Sequence, residues 1–368
     1  MNERSLAYEE EFVGGVRHCR MRREGDPEPV CSLEVVSFRQ RFGAVAVAAE
    51  GIGGVETRPD CRREGYMRRL LGAAVEGMRG RVAVGFVSEA IEGAYEQRGF
   101  VTALGEGELV VPVRAVERAG VVGGGVVRAG TDADMAEVVR IFNSAHAERP
   151  WSRVREADWD RRVPQGMWKP GSELLVLEDG AGSGSGSGVT GYALLRGRAF
   201  GDSVRTLVVH EMGARDAAGA RRLLAELAAR CWELRVASFT VREPADSLVG
   251  RIVRGWGCVY RQRYPVGGGM MARILRREVL VGELEPELRR RAEGRPYPEG
   301  VVGELARGAL VPDDGVLVRL LLGYWSVADA VVEGLVVPEG YGGLFRGWFP
   351  GGGGLGLAMP HAHVLDRY

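Results

Sequence analysis

The apolar positions change period several times along the chain, and each change predicts an element. Residues 31–38 and 44–49 are rich in Val and Ala around a polar run at 39–43. They predict two antiparallel strands leading into a third stretch that ends near Thr57. From about Gly65 the spacing becomes helical, with Leu70, Leu71, Ala74, Val75 and Met78 on one face. Residues 81–87 then predict a buried strand, residues 94–98 a short helix stopped by Gly99, and the stretch from Phe100 to Val113 further strands. Ahead of these, residues 1–25 predict one amphipathic helix, with Leu6, Phe12, Val13 and Val16 inward and Gly25 as its stop.

Beyond a Gly-rich joint at 118–126 the pattern begins again. It predicts a strand at 126–129, a helix capped by Thr131 and running to about 147, and a hairpin of 172–178 with 189–196 around the Gly/Ser repeat at 181–188. A strand at 204–211, a helix at 217–232, a strand at 236–241 and a helix at 247–256 follow. In the last region a charged helix is predicted at 283–295, a buried strand at 316–322 and a short helix at 326–334 capped by Ser326. The expected class is α/β with α+β character: two tandem α/β repeats with mixed, splayed sheets at 1–120 and 121–275, and a small α+β region at 276–368.

Composition narrows the function more than the fold. At 45% apolar and 27% charged residues the chain is globular rather than disordered. Forty-nine basic and 49 acidic residues cancel, so no general attraction to nucleic acid or to an anionic membrane is expected. No apolar run reaches the roughly 18 residues of a membrane span, and the polar, acidic start is unlike a signal peptide. A cytoplasmic protein is the expectation. The five cysteines form no C-x-x-C pair, and His361 and His363 stand in a tail without clustered thiols or carboxylates, so no metal is expected.

The stretch that carries candidate chemistry is 53–71, G-G-V-E-T-R-P-D-C-R-R-E-G-Y-M-R-R-L-L. A strand, a tight turn and a helix put Arg62, Arg63 and Gly65 at a helix N-terminus. Unpaired N–H groups and the positive end of the helix dipole make such an end an anion site. Gly65 has no Cβ to obstruct a phosphate, and two arginines add charge-assisted donors, so pyrophosphate suits this geometry. The plainer reading is an ordinary strand–helix connection with a solvated basic rim.

The same run resembles motif A of the GCN5-related N-acetyltransferases, Arg/Gln-x-x-Gly-x-Gly/Ala, with Arg62-Arg63-Glu64-Gly65 at its first four positions and Met67 departing from the last small residue. The doubled arginine resembles the enhanced-intracellular-survival (Eis) branch of that superfamily. The resemblance implies acetyl-CoA as co-substrate. Val55, Glu56 and Thr57 would then lie along its pantetheine arm, and Arg62, Arg63, Glu64, Gly65, Tyr66 and Met67 around its pyrophosphate. Ser88 and Glu89, at the end of the strand beside the thioester, would complete the cofactor-binding set, with Glu89 also a candidate base. Tyr95-Glu96-Gln97-Arg98-Gly99-Phe100 resembles the branch's Y-x-R-F-G-Y/F segment, which implies that Tyr95 protonates the departing thiolate. The branch also implies a sterol-carrier-like C-terminal domain, a terminal carboxylate at Tyr368 acting as catalytic base, and a homo-hexamer.

By that analogy the chain is an N-acetyltransferase acting on a primary amine of a small molecule or a lysine. The alternative is a non-catalytic protein that binds an apolar ligand through its C-terminal region. At the motif A position of the second repeat stands His210-Glu211-Met212-Gly213-Ala214-Arg215-Asp216, in which Asp216 opposes a phosphate. That repeat is expected to be structural, with His210 and Glu211 at the interface between repeats. Trp348 and Phe349 are candidates to line an acceptor pocket, with core packing as the default.

Overall fold

Where a helix is predicted over residues 1–25, the chain forms a hairpin of β1 (Leu6–Val13) and β2 (Val16–Arg23). Gly14 and Gly15 join them at φ 60° and 84°, the two successive positive values that a tight hairpin turn requires. In β2, Arg17, Cys19 and Met21 are buried and alternate with half-exposed neighbours, a period of two rather than 3.6. Phe12, expected to point inward, is 69% exposed.

The structure is a computed structural model and describes residues 6–89, 93–121, 124–156, 172–179, 188–196, 207–265 and 269–351. The Gly/Ser repeat, His361, His363 and Tyr368 lie outside these, apart from Gly188. Two units divide the chain. The first takes the described residues up to Leu104 and from Pro265 onward, and the second takes Gly105–Tyr264.

In the first unit β3 (Cys31–Arg41) and β4 (Ala46–Thr57) are antiparallel, as expected. Helix α1 (Tyr66–Arg79) crosses over from β4 to β5 (Val84–Glu89), which is parallel to β4. Leu70, Leu71, Ala74, Val75 and Met78 of α1 pack on Cys19, Leu33, Val35 and Ile52 of the sheet. The short strand β6 (Val101–Thr102) follows.

The second unit begins with β7 (Glu106–Pro112) and α2 (Val113–Arg118). It continues through β8 (Val126–Ala129), α3 (Met135–Ala145), the two-residue β9 (Arg153–Val154), β10 (Ser172–Glu178) and β11 (Val189–Arg196). Then come β12 (Leu207–Ala214), α4 (Ala217–Glu233), β13 (Ser238–Val241), α5 (Leu248–Trp256) and β14 (Val259–Arg263). The sheet order is β14-β7-β13-β12-β11-β10-β8, with β12 and β13 parallel across α4. Leu174 and Val176 face α3, and Leu175 and Leu177 face α4, so burial on both faces explains the unbroken apolar run in β10.

The chain returns to the first unit with β15 (Gly269–Ile274), which pairs with both β5 and β6 and completes the order β1-β2-β3-β4-β5-β15-β6. The remaining described residues form helices: α6 (Arg277–Arg291), α7 (Val301–Ala306), α8 (Asp314–Leu321), α9 (Val327–Val332) and α10 (Gly342–Trp348). Residues 316–322, expected as a strand, belong mainly to α8. Asp313 caps that helix by accepting from the Val316 N–H at 2.7 Å, and a short buried apolar run fits either element until such a cap decides. No strand after β15 occurs among the described residues, so an α+β C-terminal domain of sterol-carrier type finds no sheet there. Trp348 and Phe349 are core, stacked edge-on with each other at 5.9 Å. No described helix is long and apolar enough to cross a membrane.

Candidate active site

The cleft begins where β4 and β5 part. They pair from Ala49↔Val84 to Ile52↔Val87 and no further, although β4 runs on to Thr57. Past that point β4 stays on β3 (Ser32↔Glu56, Cys31↔Thr57), while β5 stays on β15 (Ser88↔Met270, Glu89↔Gly269). A bulge drives the parting. Between the pairs Glu34↔Gly53 and Ser32↔Glu56, β4 holds one residue more than β3. Gly54 absorbs it at φ 56°, and a bulge bends its strand. The β5-facing backbone of Val55, Glu56 and Thr57 is therefore left without a ladder partner, and Val55 is half-buried against the core.

The turn below the cleft presents N–H groups. Pro59–Cys61 form one 3-10 turn, with Cys61 buried beneath it. Arg63 and Gly65 then both take positive φ, at 67° and 80°. A non-glycine residue held there is strained, and such strain concentrates at functional turns that form anion nests. The first backbone bond of α1 runs from the Arg69 N–H to the Gly65 carbonyl, so the N–H groups of Tyr66, Met67 and Arg68 have no partner within the helix.

Around the nest the charges are sorted. Arg58 is bidentate to Asp26 and also bonds Asp60, which occupies it. Arg62 donates to the Thr57 carbonyl at 3.4 Å, and both Arg62 and Arg63 are exposed. Glu64, a carboxylate beside an expected pyrophosphate, is bonded by the Tyr66 hydroxyl at 2.8 Å and by Arg23 at 2.7 Å. The Tyr66 bond and then Arg23 hold Glu64 below the usual carboxylate range, and Arg23 offsets its charge. Arg23 has no sequence signature, because it comes from β2 and reaches Glu64 only in the fold.

A Cβ built on Gly65 meets no protein atom within 4 Å. Gly65→Ala should therefore fold, at a cost of about 1–2 kcal/mol for the left-handed backbone, and lose acyl-CoA affinity because its methyl group enters the nest. A thermal melt and a binding titration check the two halves separately.

Tyr95 is 4% exposed and shares a core cluster with Val55, Met67 and Val87. Its ring meets Phe100 edge-on at 6.4 Å. The predicted short helix is a 3-10 turn, Glu96–Arg98, ended by Gly99 at φ 74°. The Arg98 guanidinium donates to the Arg68 carbonyl on α1, tying the Tyr95 turn to the helix that forms the nest. Ser88 is half-buried, and Glu89 enters only through its backbone pairing.

The second unit parts its parallel strands too, but it lacks the nest. Asp216 caps α4 by accepting from the Gly219 N–H at 2.8 Å, so a carboxylate fills the place a phosphate takes. Glu211 is fully buried, bidentate to Arg155 at 2.6 and 2.7 Å and bonded by the Tyr192 hydroxyl at 2.6 Å. These three groups belong to the second unit.

Burial raises the Glu243 carboxyl to about 8, opposed by Arg149 and helped by Glu211. In the unfolded chain the same group ionises near 4.3. Between these values the folded state holds a proton that the unfolded state releases, so stability falls as pH rises from about 4 to 8, by up to about 1.4 kcal/mol per unit. Urea midpoints at pH 5, 6 and 7 should show that slope, and Glu243→Gln should flatten it.

A family model, the acetyltransferase (GNAT) domain, matches residues 3–103. Over these residues the chain is similar to the GNAT acetyltransferases. Among solved structures, Eis1 from Mycobacterium abscessus is similar with a TM-score of 0.63 and 15% identity, over 95% of this chain and 91% of that one. A GCN5-related N-acetyltransferase from Kribbella flavida gives 0.61 and 16%, over 95% and 88%. A probable N-acyltransferase from Enterococcus faecalis V583 gives 0.52 and 17%, and the match covers 71% of this chain but only 62% of that one. At these identities the likeness is one of fold, and it extends past the GNAT domain through the second unit. No curated protein sequence matches the chain. Within the matched residues the β4–β5 opening and the 62–65 nest coincide with the stretch that resembles motif A.

Proposed function

We propose that the GNAT domain transfers an acetyl group from acetyl-CoA to a primary amine, on a small molecule or a lysine side chain. One observation carries this reading: the parted β4 and β5 lead directly onto the nest formed by Arg62, Arg63 and Gly65. The strand edge of Val55–Thr57 offers backbone groups to the pantetheine amides. The nest and the first turn of α1 offer N–H donors to the pyrophosphate, with Arg62 and Arg63 as counter-charges.

The amine nitrogen attacks the thioester carbonyl, the C–S bond breaks, and Tyr95 gives its phenolic proton to the thiolate. A base takes the proton the amine loses, either the Tyr368 carboxylate or Glu89 of β5. Transfer is direct, with no covalent enzyme intermediate.

The test is release of free coenzyme A thiol from acetyl-CoA, with a polyamine, an aminoglycoside and an Nα-blocked lysine as acceptors. Amine-dependent release is expected. Binding of acetyl-CoA without release in the presence of any amine would refute the transfer step.

A further inference from the structure

Glu64 precedes the Gly65 N-cap, beside the unpaired N–H groups at the start of α1. A carboxylate in such a place ordinarily turns onto the helix end, where the N–H groups and the dipole both attract it. The second unit shows that outcome: Asp216 accepts from the Gly219 N–H at 2.8 Å and fills the start of α4. At α1 the outcome is different. Among the described residues no side chain bonds the N–H groups of Tyr66, Met67 or Arg68, although Glu64 stands next to them.

Two side chains hold Glu64 elsewhere. The Tyr66 hydroxyl donates to its Oε2 at 2.8 Å, and Arg23 Nη2 donates to the same oxygen at 2.7 Å. Arg23 also donates to the Tyr66 hydroxyl, from Nε at 2.9 Å and from Nη2 at 2.6 Å. Its guanidinium lies over the Tyr66 ring, 4.9 Å from the centroid. The three side chains therefore close a ring of bonds. The Glu64 side chain is 46% exposed, and ion pairs at that exposure add little to stability. The consequence of the pair lies in where it places the carboxylate.

We propose that Arg23 is a positioning residue of the acyl-CoA site: with Tyr66 it holds Glu64 off the start of α1 and so keeps the nest open for the pyrophosphate. The inference rests on the acyl-CoA reading of the nest. With Arg23 gone, the Glu64 carboxylate turns onto the α1 N–H groups, takes the place that Asp216 takes at α4, and competes with the phosphate for the same donors.

A double-mutant cycle tests it, by calorimetric titration of acetyl-CoA into four full-length chains: native, Arg23→Gln, Glu64→Gln and the two combined. Arg23→Gln should weaken binding roughly tenfold while Glu64 is present, the scale of one charge-assisted bond. Once Glu64 is already Gln, the same substitution should change affinity by no more than about twofold. A plain structural tie between β2 and α1, or direct contact of Arg23 with a phosphate, predicts the same loss in both backgrounds. That result, or unchanged affinity in Arg23→Gln, would overturn the proposal. If Arg23→Gln fails to fold by circular dichroism, Tyr66→Phe in the same two backgrounds decides, because it removes the hydroxyl that holds Glu64 and keeps the ring beneath Arg23. Loss confined to the Glu64 background supports the proposal, and equal loss in both, or none, overturns it. Absence of binding by the native chain refutes the acyl-CoA reading itself and the proposal with it, whereas native binding with equal losses refutes the proposal alone.

Discussion

Tyr95→Phe is expected to lower amine-dependent turnover by roughly a hundredfold, the usual contribution of a placed general acid, while acyl-CoA affinity stays as it was. The substitution removes one hydroxyl and keeps the ring. The edge-on contact with Phe100 and the packing against the Val55, Met67 and Val87 cluster persist. The Arg98 bond to Arg68 also persists, so the turn keeps its place on α1. A fall in turnover with the KM for acyl-CoA held constant identifies the acid. A rise in that KM with turnover held would make Tyr95 a packing residue instead.

Glu211→Ala should cost the second unit about 3–5 kcal/mol, the range for breaking a buried ion pair from one side. Arg155 and Glu211 have side chains that are 0% exposed, and the guanidinium lies over the Phe142 ring at 3.4 Å from its centroid. Without the carboxylate the buried cation loses its bidentate partner, and the Tyr192 hydroxyl loses its acceptor. Urea unfolding followed by tryptophan fluorescence measures this. A change below about 1 kcal/mol, as for an exposed pair, would mean that solvent reaches the site.

The stretch from β4 through α1 was legible because two local signals meet there. A strand pattern changes to a helical one, and the glycine and arginines fall at the junction. The second repeat was legible in the same way, and Asp216, which the sequence reads as a charge opposing a phosphate, caps α4 in the fold. The hairpin of β1 and β2 was misread because β1 is exposed, so its apolar residues carry no inward period, although Gly14-Gly15 was a turn signal. The run at 316–322 is mostly buried, with only Val316 and Arg319 half-exposed, and so short an apolar run fits strand and helix alike. What the sequence could not reveal is long-range. Arg23 reaches Glu64 across 41 residues, Arg155 reaches Glu211 across 56, and β15 inserts between β5 and β6 from far along the chain. The bulge at Gly54 depends on the register with β3, which no single strand encodes.

We propose that the nest at 62–65 holds the pyrophosphate of an acyl-CoA. Calorimetric titration of the full chain with acetyl-CoA, beside Arg63→Ala, tests it most directly. Saturable binding by the native chain is expected, weakened roughly tenfold or more in the variant, as loss of a charge-assisted phosphate contact requires. Absence of binding, or equal affinity in Arg63→Ala, would contradict it.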